Sequence, residues 1–144
     1  FDGMFIALNL TWTDGDSTFK FEDNQSFTTP FRKLSDKQEN FSIGYDKGKF
    51  DIRLAMNSRG EYLDWLADEE SDIDKVSLQN SRFVAPHEQW DLKASYEIND
   101  NFRLKFEITN IEDRPEYYYW GYNDRLSQYD EYGTSYAIGF TYNN

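Results

Sequence analysis

Trp90-Asp91-Leu92-Lys93-Ala94-Ser95-Tyr96-Glu97-Ile98, then Phe102-Arg103-Leu104-Lys105-Phe106-Glu107-Ile108-Thr109, then Tyr136-Ala137-Ile138-Gly139-Phe140-Thr141-Tyr142, is the stretch that decides the fold. Each run alternates apolar and polar residues with a period of two. That period belongs to a strand with one apolar and one polar face. In the first two runs most polar positions carry charge, and throughout the apolar positions are rich in aromatics. Such a sheet has water on one side and a large apolar medium on the other. No helix-forming segment is visible to supply that medium as a protein core.

Three earlier runs share the pattern. Met4, Ile6, Leu8, Leu10 and Trp12 share one face of the first strand. Phe41, Ile43 and Tyr45 alternate with Asn40, Ser42 and Gly44, and Phe50, Ile52, Leu54 and Met56 alternate with Asp51, Arg53, Ala55 and Asn57. The expected fold is therefore all-β, an antiparallel up-and-down meander of about six strands.

The connections are unequal in length. Asp46-Lys47-Gly48-Lys49 is a tight turn in which Gly48 suits a positive φ. It predicts Tyr45 opposite Phe50, Ile43 opposite Ile52 and Phe41 opposite Leu54. Asn99-Asp100-Asn101 is a second tight turn, built of residues that tolerate the left-handed conformation. It predicts Ile98 opposite Phe102, Glu97 opposite Arg103 and Lys93 opposite Glu107, where each opposite-charge pair is worth about 0.2–1 kcal/mol. The three other connections run from about 14 to 36, 64 to 87 and 112 to 128, and are long, acidic and Tyr-rich. In an up-and-down sheet all short turns then fall at one end and all long loops at the other. Membrane β-barrels have this asymmetry. The bulky apolar face and the small-or-charged opposite face match the lipid side and the water-filled interior of a wide barrel. Tyr45, Tyr96 and Tyr142 beside the short turns, with Tyr117 to Trp120 beside the long loops, are expected as two interfacial levels.

Composition agrees. The 144 residues suit one domain spanning 1–144, and aromatics make up 19% of them. Disordered chains are poor in aromatics, so the mean hydropathy of -0.88 does not mean disorder. No apolar run is long enough for a spanning helix, whereas barrel strands need only about 9–11 residues. The net charge of -12 argues against a nucleic-acid partner, which requires a basic surface. There is no cysteine for a disulfide or thiolate metal site. Phe1-Asp2-Gly3-Met4 lacks the features of a signal peptide, so an export signal is expected upstream.

The residues indicate no enzyme and no cofactor. His87 is the only histidine and reads as a loop residue after Pro86. There is no phosphate loop and no nucleophile elbow. Asp14-Gly15-Asp16-Ser17-Thr18 begins like a calcium loop, but Gln25 stands where the bidentate Glu belongs. The acidic residues Asp64, Asp68, Glu69, Glu70, Asp72 and Asp74 suit a solvated loop, with cation collection near lipopolysaccharide as the alternative. For ligand contact the candidates are Tyr117, Tyr118, Tyr119, Trp120 and Tyr122, joined by Tyr62 and Trp65, because aromatic faces stack on rings. The competing role is the interfacial belt. Arg59, Arg114 and Arg125 are candidates for an anionic or hydroxyl-rich ligand, or for pairing with nearby carboxylates.

The stretch Trp90 to Asn101, the run Phe106-Glu107-Ile108-Thr109-Asn110-Ile111 with Arg114-Pro115, and above all Ser127-Gln128-Tyr129-Asp130-Glu131-Tyr132-Gly133 followed by Thr134 to Gly139, resemble the closing part of TonB-dependent outer-membrane receptors. Ile43 to Phe50 and Ser58-Arg59-Gly60-Glu61-Tyr62-Leu63 resemble the preceding hairpin of that family. The resemblance covers about Phe31 to Tyr142. It implies the last six strands of a transmembrane barrel of about twenty-two, in the outer membrane of a Gram-negative bacterium. It also implies a plug domain and a TonB-contacting segment, neither of which is in this sequence. The implied activity is import of a scarce solute of the oligosaccharide or iron–siderophore class. Implied partners are outer-membrane lipid, lipopolysaccharide, the solute and, through the N-terminal part, the TonB complex. Six strands cannot close a membrane barrel, so the open edges of an isolated piece are expected to self-associate. Two other readings fit the pattern: a soluble β-sheet module with carbohydrate-binding loops, and an oligomeric assembly module.

Overall fold

The computed structural model describes residues 2–20, 24–67 and 77–143. Among the described residues the chain forms twelve strands and no helix. Six long ones are β1 (Met4–Trp12), β4 (Lys37–Lys47), β5 (Phe50–Arg59), β8 (His87–Asn99), β9 (Phe102–Thr109) and β12 (Ser135–Tyr142). They form one antiparallel sheet in the order β1-β4-β5-β8-β9-β12, with β1 and β12 at its edges. These are the six strands expected from the alternation, in the expected meander.

The long connections are themselves folded, contrary to the expectation of loops. β2 (Asp16–Lys20) and β3 (Ser26–Pro30) make a hairpin. β6 (Tyr62–Ala67), β7 (Ser77–Val84), β10 (Glu116–Trp120) and β11 (Leu126–Asp130) make a second sheet in the order β11-β10-β7-β6. Alternation hides these strands. β10 is aromatic at four successive positions, and irregularities interrupt the register of β6 on β7 and of β10 on β11. A bulge shifts the side-chain period, so a broken pattern is what such strands show.

Register in the large sheet was predicted well on one hairpin and not on the other. Glu97 lies opposite Arg103 and Lys93 opposite Glu107, as expected. The Lys93 and Glu107 side chains are 2.7 Å apart, and Glu97 accepts from Arg103. An irregularity at Ile98, however, places Asn99 rather than Ile98 opposite Phe102. In the β4–β5 hairpin the expected pairs are corrected by two residues: Lys47 faces Phe50, Tyr45 faces Ile52, Ile43 faces Leu54 and Phe41 faces Met56. Gly48 at φ 65 and Lys49 form a two-residue turn, one pair tighter than the sequence suggested. A glycine with positive φ at the first central position is what a type II′ turn requires. Because the slip is even, no side chain changes face.

The two faces therefore remain segregated across the whole sheet. Ile6, Ile43, Leu54, Leu92, Ile108 and Tyr136 line up across all six strands, and so do Met4, Tyr45, Ile52, Ala94, Phe106 and Ile138. On the opposite face Asn9, Asn40, Asn57 and Gln89 form a ladder of carboxamides. Phe5 is an apolar exception on that polar face. Its ring lies over Gly44, where an added Cβ would come within 2.4 Å of it.

Burial is inverted relative to a soluble sheet. On the apolar face Ile6, Leu8, Trp12, Phe50, Tyr136, Ile138 and Phe140 are each more than half exposed, while Ser42 on the polar face is 3% exposed. Burying a side chain of that size stabilises by about 1.5–3 kcal/mol. Seven left in water forfeit roughly 10–20 kcal/mol, as much as the whole stability of an ordinary domain. The buried core lies elsewhere, at Leu63 and Leu66 of β6, with Phe19, Phe27, Leu78 and Phe83 packed against them. The hydrophobic core thus joins the β2–β3 hairpin to the second sheet.

Candidate functional site

Short turns and folded connections sit at opposite ends. The β4–β5 and β8–β9 turns share one end with both chain termini, where Asp46 N–H donates to Gly3 and Asn143 N–H to Asn101. The other end carries the β2–β3 hairpin and the second sheet. Asn110 anchors the β9–β10 connection there. It is 5% exposed and holds φ 57. Its N–H donates to Asp91, its side-chain amide donates to the Arg114 carbonyl, and its side-chain oxygen accepts the Arg114 N–H. Thr134 donates its hydroxyl to the Asn110 carbonyl, so β8, β9 and the approach to β12 are tied at one residue. Asparagine is among the few non-glycine residues that adopt this backbone conformation readily.

The aromatic candidates do not form one surface. Tyr119 is buried, stacked on Phe83 at 5.6 Å, and donates its hydroxyl to Glu61. Burial first, and then this hydrogen bond, push its phenol well above the ordinary range. Tyr119 is therefore part of the packing of the second sheet. Tyr117 lies 6.4 Å from it and donates to the Asn123 carbonyl at 2.9 Å. Tyr118 and Trp120 take the other side of β10. Tyr118 lies under the Arg82 guanidinium and donates to Glu116 at 3.1 Å. Desolvation and then that bond raise its phenol to about 12. Trp120 meets Trp65 edge-on at 5.8 Å, uniting two candidates from distant parts of the sequence. Tyr122 is half exposed beyond the end of β10.

The arginines are engaged by the protein. Arg59 donates to the Ala85 carbonyl and to Glu116, both at 3.0 Å, and lies over the Tyr62 ring. Although desolvation opposes it, hydrogen bonds from Arg59 and Tyr118 hold the Glu116 carboxyl below the usual carboxylate range. Arg125 donates to the Gln79 carbonyl at 3.0 Å and Arg114 to Glu112 at 3.3 Å. Trp12 and Trp90, rather than Tyr117 to Trp120, stand on the apolar face towards the loop end. Trp12 ends β1, and Trp90 shares a row with Met56 and Phe41. His87 is not a loop residue: it begins β8, opposite Arg59.

Two polar concavities lie at this end. A groove of about 370 Å³ on the polar face of the large sheet is lined by Gln38, Asn40, Asn57, Arg59, His87 and Gln89. A recess of about 610 Å³ lies between the β2–β3 hairpin and β6, with Trp65, Phe31, Lys33 and Asp64 on its walls. Of these, Trp65 was legible as a ligand candidate. Phe31 and Lys33 were missed, although an aromatic residue beside Arg32-Lys33 in so acidic a chain is a readable signal. Arg82 was missed as well. It clamps Asp64 through its Nε at 2.7 Å and through a second nitrogen.

Among the described residues no cluster of three or more His, Asp or Glu could hold a metal ion. Within the calcium-like run Asp16 to Thr18 are extended, since they lie in β2. Asp68, Glu69, Glu70, Asp72 and Asp74 of the acidic run lie outside the described residues. No family model, no curated protein and no solved structure matches the chain.

Proposed function

We propose that this chain is barrel wall from a TonB-dependent outer-membrane receptor, with the large sheet in lipid and the second sheet outside it as part of the solute-recognising surface. The observation that carries this reading is the unbroken apolar face of the six-stranded sheet, open to its surroundings while the chain's own core is built in the connections. Hydrocarbon is a surrounding in which that face costs nothing, whereas lipid-exposed sheets must satisfy all backbone groups by pairing. The paired interior strands meet that demand, and the free edges of β1 and β12 call for further strands of the same barrel.

The lengths fit as well. The six long strands contain 8 to 13 residues, against the 9–11 or so that a tilted strand needs to cross hydrocarbon. The sorting of short turns and folded connections to opposite ends supports an orientation with the turns in the periplasm. On this reading the protein is a transporter component without catalytic chemistry of its own, and its location is the outer membrane of a Gram-negative cell. The reading frame upstream of Phe1 tests the proposal. A plug domain and a TonB-contacting segment are expected there, with the product fractionating into the outer membrane. An upstream frame that lacks both, or a product that is a monodisperse monomer in detergent-free buffer, overturns it.

A further inference from the structure

The polar face of the large sheet is not uniform along its length. Near the folded connections two successive rows cross it, with Thr11, Gln38, Arg59 and His87 in one and Asn9, Asn40, Asn57 and Gln89 in the next. Within these rows Arg59 alone carries a fixed charge, in a chain of which 29% of the residues are charged. Towards the short turns the same face changes character: Arg53, Lys93 and Glu107 share a row, and Glu97 meets Arg103. Alternation requires only that this face be polar. It does not sort carboxamides to one end and ions to the other, so the carboxamide block needs a reason of its own.

The polar groove of about 370 Å³ lies over this block. Among the described residues the side chains of Gln38, Asn40 and Asn57 make no hydrogen bond, and neither does the His87 ring. Gln89 spends one N–H on Asp91 at 2.8 Å and keeps its oxygen. Each carboxamide offers two donors and an acceptor oxygen. The cross-strand spacing of about 4.8 Å sets Asn40, Asn57 and Gln89 in a regular row. Arg59 is fixed before anything binds, by the Ala85 carbonyl and Glu116, both at 3.0 Å, and by the Tyr62 ring beneath it. Its charge is thus answered within the protein. A guanidinium has five N–H groups, more than these two bonds use, so donors remain.

We propose that this groove binds a neutral sugar, whose ring hydroxyls exchange hydrogen bonds with Asn40, Asn57 and Gln89 and accept from Arg59. A hydroxyl both donates and accepts, and a carboxamide answers both roles where an ion answers one. An anion drawn to Arg59 would meet the Glu116 carboxylate beside it, and a cation finds no carboxylate in the lining. The volume lies within the range of small-ligand pockets and suits a single sugar ring. The proposal deepens the receptor reading, on which it rests for the passage of solute along the polar face. It selects an uncharged solute and names the residues that hold it.

His87 is the only histidine, so its ring is a single reporter inside the groove. The test titrates the isotope-labelled full chain in detergent micelles and follows the His87 ring and the side-chain amide resonances by NMR. The probes are maltose, cellobiose and mannobiose, with digalacturonate as an anion and choline as a cation. At least one neutral disaccharide is expected to shift the His87 ring and the Asn57 amide, and to bind at least tenfold more tightly than either charged probe. The double variant Asn40→Ala with Asn57→Ala should weaken that binding at least tenfold. Asn57→Ser alone should weaken it about threefold, so a misfolded double variant leaves the single one to decide. Lys105→Gln, at the turn end of the same face, should change nothing. Digalacturonate or choline bound as tightly as the disaccharides, no binding by any probe, or wild-type affinity in both asparagine variants overturns the proposal. The upstream reading frame decides the receptor reading separately. Selective sugar binding in a chain without a plug would retain the site and remove the transporter.

Discussion

The large sheet and the small one are built from the same kinds of residue and differ in where they hide them. In the small sheet Leu63, Leu66, Val84 and Tyr119 are buried against chain. In the large sheet Ile6, Ile138 and Phe140 are open on a face that no part of the described chain covers. One region carries its own apolar solvent and the other requires one from outside. The comparison teaches that apolar content does not decide burial. What decides is whether the chain returns to cover the face, and here the returning segments cover only each other.

The difference can be attacked from both sides, and the largest effect is expected in the small core. Leu63→Ala should cost about 2–5 kcal/mol, as large-to-small changes at fully buried positions do. Limited proteolysis should show the connections opening while the large sheet stays resistant in lipid. Simultaneous loss of both regions would mean that they are one cooperative unit and that the contrast is wrong. Next comes Leu54→Arg, in the middle of the apolar face. In lipid it should cost about 2–4 kcal/mol, read from urea titration of the chain in vesicles, whereas Ser95→Arg on the opposite face should cost little. Equal costs would break the assignment of faces.

How much of this was legible follows from the same contrast. Long alternating runs such as Trp90 to Ile98 sit in an environment that differs sharply between faces, so the pattern survives in sequence. Even the β4–β5 register, off by two residues, kept every side chain on its proper face. The connections were not legible because their strands are five to eight residues long, and several are broken by register shifts. Their stability comes from partners distant in sequence, as when Tyr119 stacks on Phe83. The site fared similarly. Aromatic type pointed to Trp65 and Trp120, but only the fold separates them from Tyr119, which packs, and only the fold brings Phe31 and Lys33 to Trp65.

The tie between the two regions should show a smaller effect. Asn110→Ala removes the acceptor and donor that serve Arg114 and places a Cβ-bearing residue without side-chain hydrogen bonds at φ 57. A loss of about 1–3 kcal/mol is expected from the unsatisfied buried groups, with Asn110→Gly recovering the backbone part. Thermal melts of both variants measure it. Identical losses would mean that backbone strain contributes nothing.

The smallest effect concerns pH. Glu116 has a carboxyl lowered from its ordinary value of 4.5 by Arg59 and Tyr118. A group lowered in the folded state stabilises above its unfolded value, and that contribution fades as pH falls through the folded one. The connection end should therefore loosen progressively below pH 4.5, and Glu116→Gln should flatten that part of the profile. For a partly exposed pair the change is about 1 kcal/mol or less. An unchanged acid profile in the variant would place the sensitivity elsewhere.

The central claim is that the apolar face of the large sheet meets hydrocarbon while the second sheet does not. Four tryptophans divide between the regions: Trp12 and Trp90 on that face, and Trp65 and Trp120 in the second sheet. Single-tryptophan variants in phosphatidylcholine vesicles with brominated acyl chains read the contact directly. Strong quenching of Trp12 and Trp90, with Trp65 and Trp120 left bright, is the predicted result. Equal quenching of all four, or bright Trp12 and Trp90, would contradict it.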